Sequence, residues 1–363
     1  MKKIQHTLTF ARCHLSNKIK KFIFETFDGN INNIIDTLKN KIELPNEKDI
    51  QKEIKDISLN KCNLITLNDN NYPIFLKETA EAPILLSIKG DSNICRQNNI
   101  ITSSGARDME FEDISTIANI LNTLKYDFII ASGLALGSDA IAHMQTYKTG
   151  AIAVLANGLG YCYPKENRYL MEKIVDNGGC IISEYSYNKK PTQQYFLQRD
   201  KLLAGISAST LIMRAKQIKS GTIATANVAR KLNRKLYTIL PEHGEKFGNQ
   251  WLLGNHYATK ITNLEELKYN LLIDIATLIN EIETKQSMSI TNKIQLFTQQ
   301  KLDYNDKTNI SNEIKKILQL IKVQEISFNN LISVYEKIGQ IQPNFTNNKI
   351  VKQILIENVK TND

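Results

Sequence analysis

The middle of the chain alternates short apolar runs with longer amphipathic stretches, the pattern given by β-strands and α-helices that follow one another. The apolar runs predict six strands, at Asn99–Ser103, Phe128–Ser132, Ala151–Ala156, Cys180–Ser183, Thr210–Met213 and Leu236–Leu240. The amphipathic stretches predict five helices, at about Phe111–Leu124, Asp139–Tyr147, Asn167–Val175, Gln198–Ile206 and Thr222–Leu232. Because neighbouring parallel strands need a helical crossover, this order predicts an α/β fold with a doubly wound parallel sheet.

Both ends of the chain show helical periodicity instead. Apolar residues recur at steps of three and four between Leu8 and Leu38, and again in three stripes between Ile310 and Leu355. The polar stretch Pro45–Lys55 is predicted to be a linker, and prolines make Leu64–Gly90 a connecting segment that favours turns. These patterns predict a small helical domain at 1–60, a core at 61–270, a linker at 271–309 and a small helical domain at 310–363.

The composition of this 363-residue chain, 42% hydrophobic and 23% charged, is globular and excludes collagen-like, coiled-coil and wholly disordered classes. Its five cysteines are odd in number, widely spaced and without zinc-ligand spacing, so we expect reduced thiols, no metal and no other cofactor. The sequence contains no apolar run long enough for a membrane span or a signal-peptide core. We therefore expect a cytoplasmic protein without a membrane partner.

The positive charge of the chain is concentrated in one segment. The formal net charge is +9, and residues 185–235 contain eleven basic residues and one acidic residue, so the rest of the chain is close to neutral. A local excess of this size points toward a polyanionic partner. The alternative is a basic surface that is merely solvated.

Doubly wound sheets bind ligands at the carboxyl ends of their strands, which directs attention to the loops there. The first strand is followed by Gly105, which allows a tight turn, and by Arg107, whose guanidinium can hold a phosphate through two hydrogen bonds. An ordinary turn with a surface arginine would have the same sequence. The second strand is followed by Gly133 and Gly137, whose spacing matches neither the dinucleotide fingerprint nor the phosphate-binding loop of nucleotide triphosphatases. His143, on the next helix, is expected to be a core histidine.

The later loops combine aromatic and basic residues. Gly158 precedes Tyr163 and Lys165, and rings beside positive charge are what single-stranded nucleic acid needs, although tyrosines in loops also serve packing. Further basic or phosphate-compatible candidates follow at the ends of the remaining strands and the starts of their helices: Arg199, Lys201, Arg214, Lys219, Ser220 and Gly221. Ser220 can equally be a helix cap.

Several segments, taken in order, resemble the motifs of the DNA-processing protein A family, also called DprA or Smf. SGLALGSDAIAH (Ser132–His143) is similar to its SGxARGxDxxAH motif, and NGLGYCYPKEN (Asn157–Asn167) to its GxxxxYPxxN motif. FLQRDKLLAGIS (Phe196–Ser207) and KSGTIATANVA (Lys219–Ala229) are similar to FPxRNRxIAGLS and SGxxxTAxxA. SSGAR (Ser103–Arg107) stands where the family has VGSR or VGTR, and the resemblance covers about residues 64–267.

The resemblance implies an extended Rossmann-like core that binds single-stranded DNA without cleaving it, so no catalytic residue is expected. It also implies a homodimer that loads the RecA recombinase onto DNA entering during natural transformation. The family motifs carry a DNA-binding role onto Arg107, Gly133, Gly158, Tyr163, Arg199, Lys201, Ser220 and Gly221. The N-terminal helices resemble a sterile-alpha-motif-like domain, and residues 310–363 resemble a winged helix cut short before its wing.

The chain departs from the family pattern at three charged positions. Leu136 stands in place of an arginine, Asp200 in place of an asparagine and Arg214 in place of a usual acidic residue. Loss of the arginine should remove a phosphate contact. Either Arg214 supplies that contact from a neighbouring strand end, or the protein binds DNA more weakly than its relatives. Two other functions stay open. One is a nucleotide hydrolase of the lysine-decarboxylase-like group, although this chain lacks the catalytic glutamate motif of that group. The other is a scaffold with weakened DNA binding.

Overall fold

A computed structural model describes residues 2–287 of the chain. The long helices are α1 (Lys2–Arg12), α2 (Asn17–Thr26), α3 (Ile31–Leu38), α4 (Glu47–Leu59), α6 (Phe111–Leu124), α7 (Ser138–Thr146), α8 (Arg168–Asp176), α9 (Gln193–Gly205), α10 (Gly221–Lys231), α11 (Phe247–Gly254) and α12 (Leu264–Ser287), and α5 (Ile74–Lys77) is a single turn. The strands are β1 (Cys62–Thr66), β2 (Leu85–Gly90), β3 (Ile100–Ser104), β4 (Ile129–Ser132), β5 (Ala151–Val154), β6 (Cys180–Ser183), β7 (Ser209–Ile212), β8 (Lys235–Thr238) and β9 (Thr259–Lys260). No helix within this part of the chain is both long and apolar enough to cross a lipid bilayer.

The nine strands of residues 2–287 form one sheet in the order β1-β2-β6-β5-β4-β3-β7-β8-β9. The seven neighbouring strands β6, β5, β4, β3, β7, β8 and β9 are parallel to one another. At the other end of the sheet, β1 pairs antiparallel with β2, and β2 pairs antiparallel with β6. Strands β3, β5, β6 and β7 are buried along their whole length, and β4 is buried except at Ile129, as expected of strands covered by helices on both faces. The predicted α/β class, a doubly wound parallel sheet flanked by helices, is confirmed.

The six predicted strands and five predicted helices are present, with ends that differ by a few residues. The largest difference is α9, which begins at Gln193 and not at Gln198. Three strands were not predicted. The segment Leu64–Gly90 contains β2 and most of β1 despite its prolines, because Pro83 precedes β2 and leaves its hydrogen-bonding residues free to pair. The third, β9, has only two residues.

The linker predicted at Pro45–Lys55 is wrong from Glu47 onward, because α4 begins there. Ile50, Glu53 and Ile57 are buried along one side of α4, and the backbone N–H of Tyr187 donates to Glu53 Oε1 at 3.3 Å. The predicted linker at 271–309 overlaps the last turns of α12, which reaches Ser287. The remaining residues of that linker, and the domain at 310–363, lie outside the described residues.

The chain divides into two compact units. Of the first, the structure describes residues 2–46 and 281–287, and the second is Glu47–Asn280. In the first, α1 to α3 bury Leu8, Phe10 and Ile34, and the hydroxyl of Ser16 caps α2 by accepting from the Ile19 N–H. The predicted helical N-terminus is therefore observed, while its likeness to a sterile-alpha-motif domain and the exact domain limits stay predictions.

The pairing of β3 explains where the sheet opens. It pairs in parallel with β4 on one side and with β7 on the other. The loops that follow β3 and β7 therefore leave their shared edge in opposite directions, and a crevice forms at such a point. Backbone bonds from Met213 N–H to Ser104 O (2.9 Å) and from Ala106 N–H to Arg214 O (2.8 Å) continue the pairing into these loops.

We expect Asn249→Ala to destabilise the core, because the fully buried Asn249 amide joins the ends of β7 and β8 to α11. It accepts from the Ala215 N–H at 2.8 Å and donates to Met213 O at 2.8 Å and Thr238 Oγ1 at 2.9 Å. Leaving these buried groups without partners should cost about 2–4 kcal/mol of unfolding free energy, measured by urea denaturation. The control is Gln250→Ala at an exposed position of the same helix, and an equal loss in both variants would contradict the role of the Asn249 amide.

Candidate functional site

A cavity of about 60 Å³ lies at the carboxyl ends of the central strands. Its lining comes from three strand ends and one helix: Arg107 after β3, Gly133 and Leu136 after β4, Asn157 and Tyr163 after β5, and Phe196 on α9. Since one water molecule needs roughly 10–15 Å³ of a cavity volume of this kind, the cavity has room for a phosphate or the edge of a base but not for a whole nucleotide. The rest of a larger ligand would have to lie along the open surface.

The Phe196 ring is the centre of this surface. The edge of the Tyr163 ring meets it with centroids 5.9 Å apart, and the guanidinium carbon of Arg107 lies 5.4 Å from its centroid. Tyr163 is 45% exposed and Arg107 is exposed, so both can reach a ligand. Phe196 was not among the sequence-predicted residues. Its position three residues before Arg199, on the same side of α9, is the signal that would have found it.

A second pair of rings lies next to the first in sequence. Tyr195 stacks on Tyr185 with centroids 4.3 Å apart, and Lys189 Nζ lies 5.8 Å above the Tyr195 ring. Burial, followed by the charge of Glu184, raises the pKa of Tyr185, so its hydroxyl stays neutral at physiological pH. These rings extend the aromatic surface from the end of β5 toward the end of β6.

Arg199 lies behind the cavity wall and is 7% exposed. Its guanidinium is 3.0 Å from Asp200 and 3.9 Å from Asp139, and it donates to Val154 O at 3.4 Å. A Cβ on Gly133 would overlap this guanidinium, which explains why a glycine is needed there. Arg199 is therefore held in ion pairs under the cavity wall and not exposed on its surface.

Arg214 is even more deeply enclosed, at 1% exposure. It is 2.5 Å from Asp113 at the start of α6 and donates to His243 O at 2.7 Å and Glu245 O at 3.1 Å. These contacts tie α6 to the loop after β8. Arg214 therefore does not offer its charge at the position where Leu136, 43% exposed, replaces the family's arginine.

The other predicted site residues are distributed around the same edge. Lys201 Nζ is 2.5 Å from Glu81, which lies between α5 and β2, and Gly158 packs against the backbone of residues 186 and 187. Lys165 and Lys219 are exposed. Ser220 caps α10 by accepting from the Ile223 N–H at 3.4 Å.

Gly221, the first residue of α10, faces open space. A Cβ there would meet no atom of the described residues within 4 Å, and the φ angle of Gly221 is not among the positive ones. No contact within the described chain therefore requires a glycine at this position.

The basic segment at 185–235 contributes less surface charge than the sequence indicates. Arg199, Arg214 and Arg234 are buried, and Lys201 and Lys216 form ion pairs with Glu81 and Asp108. Arg230 lies over the Tyr257 ring. The exposed members are Lys189, Lys190, Lys219, Lys231 and Lys235. Of these, Lys231 and Lys235 lie at the opposite edge, where β8 begins, so three exposed lysines of the segment follow strand ends at the carboxyl edge.

His143 is fully buried on α7, and burial lowers its pKa to about 4. It is therefore a neutral core residue at physiological pH, as the sequence indicated. The five cysteines are free thiols, and within residues 2–287 no group of histidine, cysteine and acidic residues is placed to hold a metal ion.

Comparisons with known proteins point to one family. A sequence model of the family described as DNA recombination-mediator protein A matches residues 63–271. The DNA processing protein DprA of Streptococcus pneumoniae is 31% identical over 173 residues, 47% of this chain and 60% of that protein. DprA of Bacillus subtilis is 27% identical over 180 residues, 49% of this chain and 60% of that protein. The matched region thus spans 60% of the length of each of these relatives.

Solved structures agree with these sequence matches. DNA processing protein A from Helicobacter pylori, studied for its mode of binding single-stranded DNA, has a TM-score of 0.54 at 26% identity, covering 58% of this chain and 97% of that one. The structure of Streptococcus pneumoniae DprA has a TM-score of 0.62 at 22% identity, covering 74% of this chain and 98% of that one. The latter shows that the fold is shared.

We expect Arg214→Ala to lower the unfolding free energy by about 3–5 kcal/mol, because it leaves the buried Asp113 carboxylate without its guanidinium. Lys219→Ala removes the same charge from an exposed position and should cost no more than about 0.5 kcal/mol. The unfolding free energies of both variants are to be measured by urea denaturation at neutral pH. Equal stability of the two variants would show that the Arg214 ion pair does not support the fold.

Proposed function

Because the chain belongs to the DNA recombination-mediator protein A family, we propose that it binds single-stranded DNA along the carboxyl edge of its sheet without cleaving it. The observation that carries the proposal is the Phe196 ring, which lies against Tyr163 and Arg107 beside the cavity between strand ends. Unpaired bases can stack on such rings while nearby cations neutralise the phosphates. The DNA-binding relative from Helicobacter pylori, 26% identical, supports the same reading.

In this proposal the predicted site residues divide into two groups. Arg107, Tyr163, Lys165, Lys219, Ser220 and Gly221 line the path of the strand, together with Phe196 and Lys189. Gly221 leaves open space at the first N–H groups of α10, where a phosphate oxygen can approach. Gly133, Gly158, Arg199 and Arg214 support this surface from behind, through the packing contacts and ion pairs described above. Lys201 belongs to neither group, because it lies on the other side of α9 and pairs with Glu81.

The proposal favours binding over hydrolysis. The lining of the cavity consists of Arg107, Gly133, Ala135, Leu136, Ala156, Asn157, Tyr163, Pro164 and Phe196, and none of these offers a carboxylate. A nucleotide hydrolase of the kind considered above needs an acidic residue beside the ribose. Asp139 and Asp200, two acidic residues behind the cavity wall, are instead buried against Arg199.

We further propose that the protein acts as a recombination mediator. In this role it would protect incoming single strands in the cytoplasm, work as a homodimer and deliver a RecA-type recombinase to the bound strand. The family to which the chain belongs is described by this kind of activity.

We expect Phe196→Ala and Arg107→Ala to weaken binding of fluorescent oligothymidylate in anisotropy titrations. Loss of the stacking ring should cost about 1–3 kcal/mol per base. Loss of the Arg107 charge should reduce the log–log salt slope by about 0.7, the value for one released phosphate contact. The two substitutions therefore differ in their salt dependence, because Phe196→Ala removes no charge.

Matched controls lie at the opposite edge of the sheet. Tyr126→Ala removes an aromatic ring that is 79% exposed, and Lys235→Ala removes a cation at the start of β8. Both should bind as the unaltered protein does. If the unaltered protein does not bind single-stranded DNA at low salt, the proposal is wrong, and equal losses in the controls would place the site elsewhere.

The mediator role predicts that the protein speeds assembly of RecA filaments on single strands already covered by a single-strand binding protein. Filament growth followed by fluorescence of labelled DNA should accelerate in its presence, and Phe196→Ala should remove most of the acceleration. DNA binding without any acceleration would leave a binding protein that is not a mediator. Capture of RecA without DNA binding would instead favour the scaffold interpretation.

A further inference from the structure

Two buried carboxylates share one guanidinium beside the cavity. Asp200 follows Arg199 on α9, and Asp139 lies on the first turn of α7. The side chains of Arg199, Asp139 and Asp200 are each no more than 8% exposed. The Asp200 carboxylate is 3.0 Å from Arg199, and the Asp139 carboxylate is 3.9 Å away. This cluster therefore contains one positive charge against two negative charges when both carboxyl groups are ionised.

The groups around the cluster do not supply a second cation within the described residues. His143 on α7 is neutral above a pKa of about 4, and the Thr225 hydroxyl on α10 contacts Asp200. The Ser132 hydroxyl on β4 and the Gly133 and Ala135 N–H groups face Asp139. Val154 O and Tyr185 face Arg199, and Tyr185 is in turn hydrogen-bonded to the Glu184 carboxylate after β6. Burial is the main influence on both acids and raises the pKa of Asp139 and of Asp200, against the opposing effect of Arg199.

The cluster is in direct contact with the lining of the cavity. Asp139 Oδ2 accepts from the Ala135 N–H at 3.4 Å, and Gly133 covers the Arg199 guanidinium. The guanidinium carbon of Arg199 is 6.0 Å from the centroid of the Phe196 ring. A polyanion on this surface would therefore lie within a short distance of the two carboxylates. At such distances, through protein, like charges still repel appreciably.

We propose that the Asp139–Arg199–Asp200 cluster takes up a proton from solvent when single-stranded DNA binds at the adjacent cavity, so that affinity for DNA rises as the pH falls. This proposal rests on the proposed function. The proton forms an O–H bond on a carboxylate oxygen of Asp139 or Asp200, and no other bond changes. The cluster is then neutral, and its repulsion of the phosphates is removed.

The sign of the effect follows from linkage. An anion near a carboxylate raises the pKa of that carboxyl group further, so the DNA-bound state holds more protons than the free state. Binding must then strengthen as the pH falls through the range in which these carboxyl groups titrate. Because burial already raises both pKa values, this range lies above that of an exposed aspartate, about pH 4.

Asp200→Asn tests the proposal, because it leaves one carboxylate with one guanidinium and keeps the side-chain shape. Affinity for oligothymidylate is measured by anisotropy at constant ionic strength from about pH 8 to about pH 5. The control is Asp176→Asn, which removes one negative charge from the exposed carboxyl end of α8, at the opposite edge of the sheet.

We expect the unaltered protein and Asp176→Asn to gain affinity together, by roughly three- to tenfold, as the pH falls. Asp200→Asn should bind more tightly than either at about pH 8 and should gain less on acidification. Calorimetry in two buffers of different ionisation enthalpy should detect proton uptake on binding by the unaltered protein and less uptake by Asp200→Asn.

The outcomes separate this proposal from the one on which it rests. DNA binding with the same pH profile and the same proton uptake in Asp200→Asn as in the unaltered protein would overturn the linkage and leave the binding function intact. Absence of binding by all three proteins at every pH, with normal cooperative unfolding, would overturn both. A lower affinity of Asp200→Asn at about pH 8 would also contradict the repulsion on which the linkage depends.

Discussion

Strand β3 is paired in parallel on both sides, and the candidate site depends on that pairing. The register sets Thr102 opposite Ala131 of β4 and opposite Thr210 of β7, so that three strand ends meet at one edge. The bond from Ala106 N–H to Arg214 O then fixes the start of the loop that carries Arg107. Side chains at the ends of β3, β4 and β5 meet here because neighbouring parallel strands end at the same edge. Helix α9 reaches them because the chain crosses back from β6 to β7, where the sheet reverses its winding direction.

Positive charge at this edge has two separate uses. The two buried arginines at this edge, Arg199 and Arg214, are paired with buried carboxylates and stabilise the walls of the crevice. The exposed cations, chiefly Arg107 and a few lysines, are left to meet a ligand. With Leu136 lining the cavity where the family has an arginine, the ligand surface is more apolar and aromatic, which gives stacking a larger share in the proposed binding.

The sequence predicts the parallel core well because its strands are short, apolar and separated by amphipathic helices. It does less well where local signals conflict with tertiary pairing. Pro73 and Pro83 suggest turns, yet β2 pairs along its length with β1 and with β6. At the site, sequence identifies the loops but not the orientation of their side chains. Arg199 and Lys201 are two residues apart on α9 and therefore point to opposite sides, and only Arg199 lies behind the cavity.

The measurement that tests the central claim most directly is photochemical cross-linking of the full chain to a single-stranded oligonucleotide that carries iododeoxyuridine, with the linked residues located by mass spectrometry. Stacking of bases at the carboxyl edge predicts linkage at Phe196 or Tyr163, the two rings that line the cavity. Competition with unlabelled single-stranded DNA should remove the linkage. Specific linkage confined to Tyr126, Lys235 or other residues at the opposite edge would contradict the account.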